Sequence, residues 1–86
     1  MARYVLFHTV ACLTRQQLQR LAENLAGHPE VRLLRMCAST LAGRLMAEFE
    51  APDRETLTAW LVDRNVRAGE VFRVELEWQD GAMHRY

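Results

Sequence analysis

The clearest alternation of apolar and polar positions lies in the middle of the chain. Leu45, Ala47 and Phe49 take every second position, which is typical of a strand with one buried face. Pro52 then ends the strand because proline cannot donate to a sheet ladder, and Asp53 can accept from the free N–H groups of a first helical turn. The segment therefore predicts a strand followed by the start of a helix.

Two amphipathic helices are predicted. The first begins at Thr14, because Thr14 and Gln17 have the spacing of a capping box, and ends before Gly27. The second runs from about residue 54 to 64, with Asp53 as its cap and Asn65 as its left-handed end. Their apolar stripes are Leu18, Leu21, Ala22 and Leu25 in the first and Leu57, Trp60 and Leu61 in the second.

Three further strands complete the pattern. Residues 3–10 are apolar on both sides, as in a central strand. In residues 31–38, Val31, Leu33, Arg35 and Cys37 alternate with Arg32, Leu34, Met36 and Ala38, so both face assignments stay open. A five-residue loop, 39–43, joins this strand to the next as a hairpin.

The last predicted strand covers residues 71–78 and has the most regular alternation. One face carries Phe72, Val74, Leu76 and Trp78, and the other carries Arg73, Glu75 and Glu77. Trp60 and Trp78 both fall on apolar stripes, so both are expected in the core. Residues 81–86 are expected to form a short polar tail.

The element order is βαββαβ, the ferredoxin-like split βαβ arrangement of the α+β class. We expect a four-stranded antiparallel sheet with both helices on one face, formed by residues 1–80. Right-handed crossovers predict strand 1 beside strand 3 in parallel, strand 4 beyond strand 1, and strand 2 beyond strand 3.

This arrangement leaves one sheet face without helices. We expect Arg44, Met46, Glu48 and Glu50 on it, together with Arg73, Glu75, Glu77 and one side of strand 1. Apolar residues along the centre with charges beside them are typical of half an interface. A homodimer is therefore expected, and a solvated monomer is the alternative.

Composition narrows the class of protein. The 86 residues include 11 basic and 11 acidic side chains, interleaved along the chain, so no basic face for nucleic acid is expected. No apolar run approaches the roughly 20 residues of a membrane span, and no signal peptide is recognisable, so a cytoplasmic protein is predicted. Cys12 and Cys37 are expected as reduced thiols, with a disulfide as the alternative.

The chain resembles a family of small bacterial ferredoxin-like proteins of largely unknown function, of which at least one member is described as nickel-binding. The similarity runs through residues 3–5, 13–18 and Val31 to residues 49–55 and 69–71. Members of that family often carry a Cys in the third strand and a His in the second helix. The corresponding positions here are Ala47 and Trp60, so the resemblance supports the fold more than the metal activity.

Two residues, His8 and Cys12, are close enough in sequence to share a metal ion. Imidazole and thiolate suit Ni, Cu or Zn. A full site would need at least one more ligand, such as Met36, Cys37 or Glu50. The alternative is that the cysteines pack as small apolar residues and that His8 merely ends its strand.

Residues for a small ligand are expected on the open sheet face and at its strand ends: His8, Arg44, Glu48 and Arg73. The leading hypothesis is a dimeric binding protein for a transition metal or a small molecule. An isomerase-like or monooxygenase-like enzyme and a purely structural interaction module are the alternatives, because this fold supports many functions.

Overall fold

The computed structural model describes residues 1–9, 13–66 and 69–86. Val10, predicted at a strand end, and Cys12, predicted in a metal site, lie outside these residues. Within them, no helix is long and apolar enough to cross a membrane. The elements are β1 (Ala2–Thr9), α1 (Arg15–Leu25), β2 (Arg32–Ser39), β3 (Arg44–Ala51), α2 (Arg54–Asp63), β4 (Glu70–Arg73), β5 (Leu76–Gln79) and β6 (Ala82–Arg85).

The first six elements form the predicted α+β, ferredoxin-like split βαβ fold. The sheet order is β2-β3-β1-β4, and every neighbouring pair is antiparallel. The expectation that strands 1 and 3 run in parallel is wrong. The crossover through α1 makes β1 parallel to β2, and the β2–β3 hairpin reverses the chain, so β3 must run antiparallel to β1.

Local hydrogen bonds fix both helix starts as predicted. The Thr14 hydroxyl accepts from Gln17 N at 3.2 Å, and the Gln17 side chain accepts from Thr14 N at 2.8 Å. At α2, the Asp53 carboxylate accepts from Thr56 N at 2.7 Å. The helix ends are also local features, because Asn65 has a positive φ of 59° and so follows α2 in the left-handed conformation.

A single core lies between the sheet and the helices. Alternate residues of β1 and β3 point into it, and the apolar stripes of both helices cover them, so both helices lie on one face of the sheet. Trp60 is buried there, as predicted, with its ring 5.9 Å from that of Phe49. The buried residues are Tyr4, Leu6, Leu25, Val31, Leu45, Ala47, Phe49, Ala51, Leu57, Trp60, Leu61, Val66 and Val71.

A β-bulge explains why the pattern of β2 left its face assignment open. The pairing with β3 shifts between Leu33 and Arg35, so Leu34 is an extra residue. Leu33 and Met36 therefore both pack against the core, although they are three positions apart. Neither alternating set predicted from the sequence shares one face along the whole strand.

The last predicted strand is two strands, and its Trp78 is not in the core. β4 ends at Arg73, which pairs with Tyr4; continuing that register would carry Trp78 beyond the start of β1. The chain leaves the sheet instead, and Trp78 is 67% exposed.

Residues 82–85 form β6 rather than the expected polar tail. They pair with β5 in a two-stranded sheet. Asp80 and Gly81 both have positive φ, at 52° and 83°, which is the backbone of a tight two-residue hairpin turn. Every strand residue of this hairpin except Glu77 is exposed.

We expect the cap of α2 to make stability depend on pH. The backbone N–H of Thr56, and then its hydroxyl, donate to Asp53 and hold the pKa of that carboxyl below its ordinary value of 3.8. The unfolded chain therefore binds the proton first as pH falls. The stabilisation is complete above the unfolded pKa and is lost as pH falls through the folded pKa.

The D53N variant keeps a capping side chain without the charge. Urea unfolding should show wild type more stable than D53N at neutral pH, with the gap closing in acid as Asp53 is protonated. D63N, which changes a charge at the other end of the same helix, is the control for net charge. A gap between wild type and D53N that is unchanged in acid would contradict this assignment.

Candidate functional site

The sheet face opposite the helices is called the open face. Along β1 it carries Arg3, Val5 and Phe7, which alternate with the buried Tyr4 and Leu6. The register places one residue of β3 beside each of them: Glu50 beside Arg3, Glu48 beside Val5 and Met46 beside Phe7. Arg44, Met46, Glu48 and Glu50 thus lie on the open face as predicted.

One expectation for this face is wrong. Arg73 pairs with Tyr4 and therefore shares the helix-covered side of the sheet, at its edge. Phe72, which pairs with Val5, occupies the open face instead. Within β4 the predicted faces of Phe72 and Arg73 are therefore reversed, because Trp78 was expected in the core.

An apolar cluster, the Phe72 patch, occupies the middle of the open face. It consists of Val5, Phe7, Met46 and Phe72. The rings of Phe7 and Phe72 meet edge to face with their centroids 6.1 Å apart. Phe72 is 51% exposed, and the other three are partly buried by their neighbours alone. The patch is thus preformed.

A line of alternating charges, the Arg3 ladder, crosses one end of the open face. It runs from Glu77 of β5 through Arg3 of β1 and Glu48 of β3 to Arg35 of β2. Arg35 donates to Glu48 at 2.6 Å, and Arg3 donates to Glu77 while its Nε lies 3.6 Å from the other Glu48 oxygen. The ladder therefore connects the edge strand β2 to the β5–β6 hairpin.

The central pair of the ladder is the best shielded from water. The Arg3 and Glu48 side chains are 19% and 12% exposed, against 62% for Arg35. Partial burial lowers the pKa of Arg3, but the hydrogen bond and charge of Glu77, and then the charge of Glu48, outweigh it and leave the pKa raised. The guanidinium stays charged, as an arginine does at any pH where proteins fold.

Arg3 also holds the β5–β6 hairpin. Its guanidinium lies 4.6 Å from the centre of the Tyr86 ring, within the range of a cation–π contact. Tyr86 N donates to Glu75 O at 2.9 Å and closes the open end of the hairpin. Because Arg3 belongs to the open face, the hairpin is attached on that side of the sheet.

The four predicted ligand residues do not come together. His8 and Arg44 line one small cleft at the end of β1, together with Thr9 and Glu70. This cleft has a volume of about 120 Å³. Glu48 belongs to the Arg3 ladder. A cleft of 120 Å³ is well below the roughly 300–1,000 Å³ of small-molecule pockets.

A larger cleft lies where β4 leaves the sheet for the hairpin. It has a volume of about 430 Å³ and opens to solvent. Arg73, the fourth predicted residue, lines it with Glu75, Arg85 and Tyr86. In the part of the chain that the structure describes, neither Arg73 nor Arg85 forms a salt bridge, so both guanidinium groups are available to a polar ligand.

The described residues do not provide a metal site. No three His, Cys, Asp or Glu side chains among them come close enough to hold an ion. His8 lies partly buried at the end of β1, and Cys37 is an exposed free thiol on β2. Cys12, which was predicted to share a metal ion with His8, is outside the described residues.

Comparisons of the chain with protein-family models, with curated proteins and with solved structures gave no match. The site must accordingly be interpreted from its own geometry.

Three residues of this site were missed from the sequence. Arg3, Tyr86 and Arg85 are single polar or aromatic residues near the ends of the chain, where no pattern marks them. The hairpin that brings Tyr86 and Arg85 to the cleft did have a signal. Asp80-Gly81 is a strong two-residue turn sequence between alternating segments, whereas a polar tail was predicted from Gly81 onward.

We expect the two arginines of the ladder to differ in their contribution to stability. R3M removes the partly buried centre and leaves Glu77 without its partner, so it should lower the free energy of unfolding by about 1.5–3 kcal/mol. R35M removes an exposed end and should cost less than about 1 kcal/mol. Urea unfolding of both variants measures the difference.

Hydrogen exchange locates the effect. R3M should accelerate exchange of the hairpin amides at Glu77 and His84, which form a hydrogen-bonded pair, more than that of the α1 amides, because the hairpin loses its attachment. Equal losses of stability in R3M and R35M, or unchanged hairpin exchange in R3M, would show that Arg3 does not hold the hairpin.

Proposed function

We propose that this chain is a dimeric small-molecule-binding protein whose two copies meet through their open faces. The observation that carries the proposal is the Phe72 patch, a preformed apolar cluster on the one sheet face that no helix covers. An antiparallel sheet can leave one face to water, but that face is then normally polar. Here, apolar side chains occupy its centre, as at the middle of an interface.

The size of the chain also favours a partner. A domain of 86 residues buries only about 60–65% of the surface that its unfolded chain exposes, so its core gives limited stability. A two-fold axis through the open face would place the same patch on both sides of the contact. The Arg3 ladder, already neutralised within one chain, would form a polar rim.

The ligand is assigned to the cleft between β4 and the hairpin. Its volume of about 430 Å³ suits a small molecule, and the guanidinium groups of Arg73 and Arg85 favour a polar group with negative charge, such as a carboxylate. Tyr86 also lines this cleft.

Native mass spectrometry of the purified protein tests the dimer and the bound ligand together, because it reports the number of subunits and any bound mass. We expect a dimer for wild type. F72E places a carboxylate in the patch and should weaken the dimer by about 100-fold, since an unpaired charge at an interface costs roughly 3 kcal/mol. V62E, a change at a 73% exposed position of α2, should leave the dimer intact.

The remaining outcomes separate the alternatives. A monomeric wild type at micromolar concentration would refute the interface. A dimer without any retained mass, which also ignores added carboxylates, would favour a structural interaction module. A retained mass that EDTA removes and added Ni restores would favour the metal-binding alternative suggested by the resemblance.

A further inference from the structure

We propose that the cleft between β4 and the β5–β6 hairpin binds a small dicarboxylate, with one carboxylate on Arg73 and the other on Arg85, and that this ligand fastens the hairpin to the large sheet. The inference rests on the ligand site of the proposed function and is independent of the dimer. It adds the class of ligand and the effect of binding on the structure.

The two arginines of the cleft belong to different sheets. Arg73 is the last residue of β4 and pairs with the buried Tyr4, so its side chain lies on the helix-covered side of the large sheet. Arg85 belongs to β6 and pairs with Leu76 of β5. Both arginines line the same cleft of about 430 Å³. A ligand held by both guanidinium groups therefore connects the hairpin to the large sheet.

The side chain of Arg85 lies on the side of the hairpin that Arg3 does not contact. Successive side chains of a strand point to opposite faces. Arg85 and its partner Leu76 thus share one face, and their neighbours Tyr86 and Glu77 share the other. Arg3 contacts Glu77 and Tyr86. A ligand on Arg85 therefore adds to the Arg3 contacts instead of replacing them.

Within the described residues, the guanidinium groups of Arg73 and Arg85 form no salt bridge. Glu75 also lines the cleft, but its carbonyl accepts from Tyr86 N at 2.9 Å. This bond continues the strand pairing by one residue and places the Glu75 side chain on the face opposite Arg85. Two positive charges thus line one cleft, and a ligand with two negative charges would neutralise them.

The shape of the guanidinium group favours a carboxylate at each end of the ligand. Each guanidinium presents a planar fork of N–H donors that matches one carboxylate through two parallel hydrogen bonds. Because the two forks come from different strands, two carboxylates satisfy them better than one. Val74 and Leu76 also line the cleft and can pack against the methylene groups between the two carboxylates.

Binding of such a ligand should hold the hairpin in place. A two-stranded hairpin alone is at best marginally stable in water, and Arg3 holds this one to the large sheet. A ligand that binds only the attached hairpin favours that state by mass action, about 100-fold at a concentration 100 times its dissociation constant. The ligand is therefore a second attachment of the hairpin.

Isothermal titration calorimetry of the purified protein tests the class of ligand. The probes are succinate, glutarate and adipate, each compared with the monocarboxylate of the same number of carbon atoms. We expect the best dicarboxylate to bind at least tenfold more tightly than its monocarboxylate. R73M and R85M should each weaken its binding at least tenfold, whereas R20M, at an exposed position of α1, should bind it like wild type.

The outcomes separate this inference from the proposed function. Equal affinity for a dicarboxylate and its monocarboxylate would refute the ligand with two carboxylates and leave the anion-binding cleft in place. A loss of affinity in only one of R73M and R85M would also refute it, because the site would then use a single arginine. No binding of any of the six acids would refute the cleft itself, and with it the ligand part of the proposed function.

Hydrogen exchange tests whether the ligand fastens the hairpin. The best dicarboxylate, at 100 times its dissociation constant, should slow exchange of the hydrogen-bonded Glu77 and His84 amides at least tenfold, and more than that of the α1 amides. R85M should abolish this protection. If wild type binds the dicarboxylate and the exchange of these two amides is unchanged, the ligand does not fasten the hairpin and that part of the inference is overturned.

Discussion

The guanidinium of Arg3 joins the two sheets of this protein. It lies between Glu48 of the large sheet and Glu77 of the hairpin, and the Tyr86 ring stacks against it. Because these contacts all lie on one side of the hairpin, they set its orientation. The other side of the hairpin carries Leu76, Trp78 and Met83 beside Arg85, and all four residues are exposed.

The second constraint is the number of helices that can cover the sheet. A four-stranded sheet has two faces, but its two helices cover only one. One end and the middle of the other face differ in chemistry. The Arg3 ladder makes one end polar and internally neutral, so water can cover it. The Phe72 patch is uncharged and apolar. Its side chains can be stabilised only by contact with other apolar surface.

Local chemistry made much of the fold predictable. Thr14 and Asp53 start their helices through hydrogen bonds to residues three positions away, and the strict alternation around Phe49 reflects a strand with one buried face. The candidate site was harder to predict from the sequence. Of the predicted ligand residues, His8 and Arg44 share a small cleft, while Glu48 and Arg73 lie elsewhere. Their separation depends on register, which no short segment encodes.

The sequence by itself determined the helices, the buried face of β3 and the order βαββαβ, because capping and periodicity act within a few residues. The tertiary structure decided what depends on pairing between distant strands. The bulge at Leu34 moves β2 from one alternating set to the other, and the register of β4 against β1 excludes Trp78 from the core. Two segments alternate equally regularly, one around Phe49 and one around Trp78, but only the first is buried. The first has a strand on each side and helices above it, whereas the second extends past the end of its partner strand.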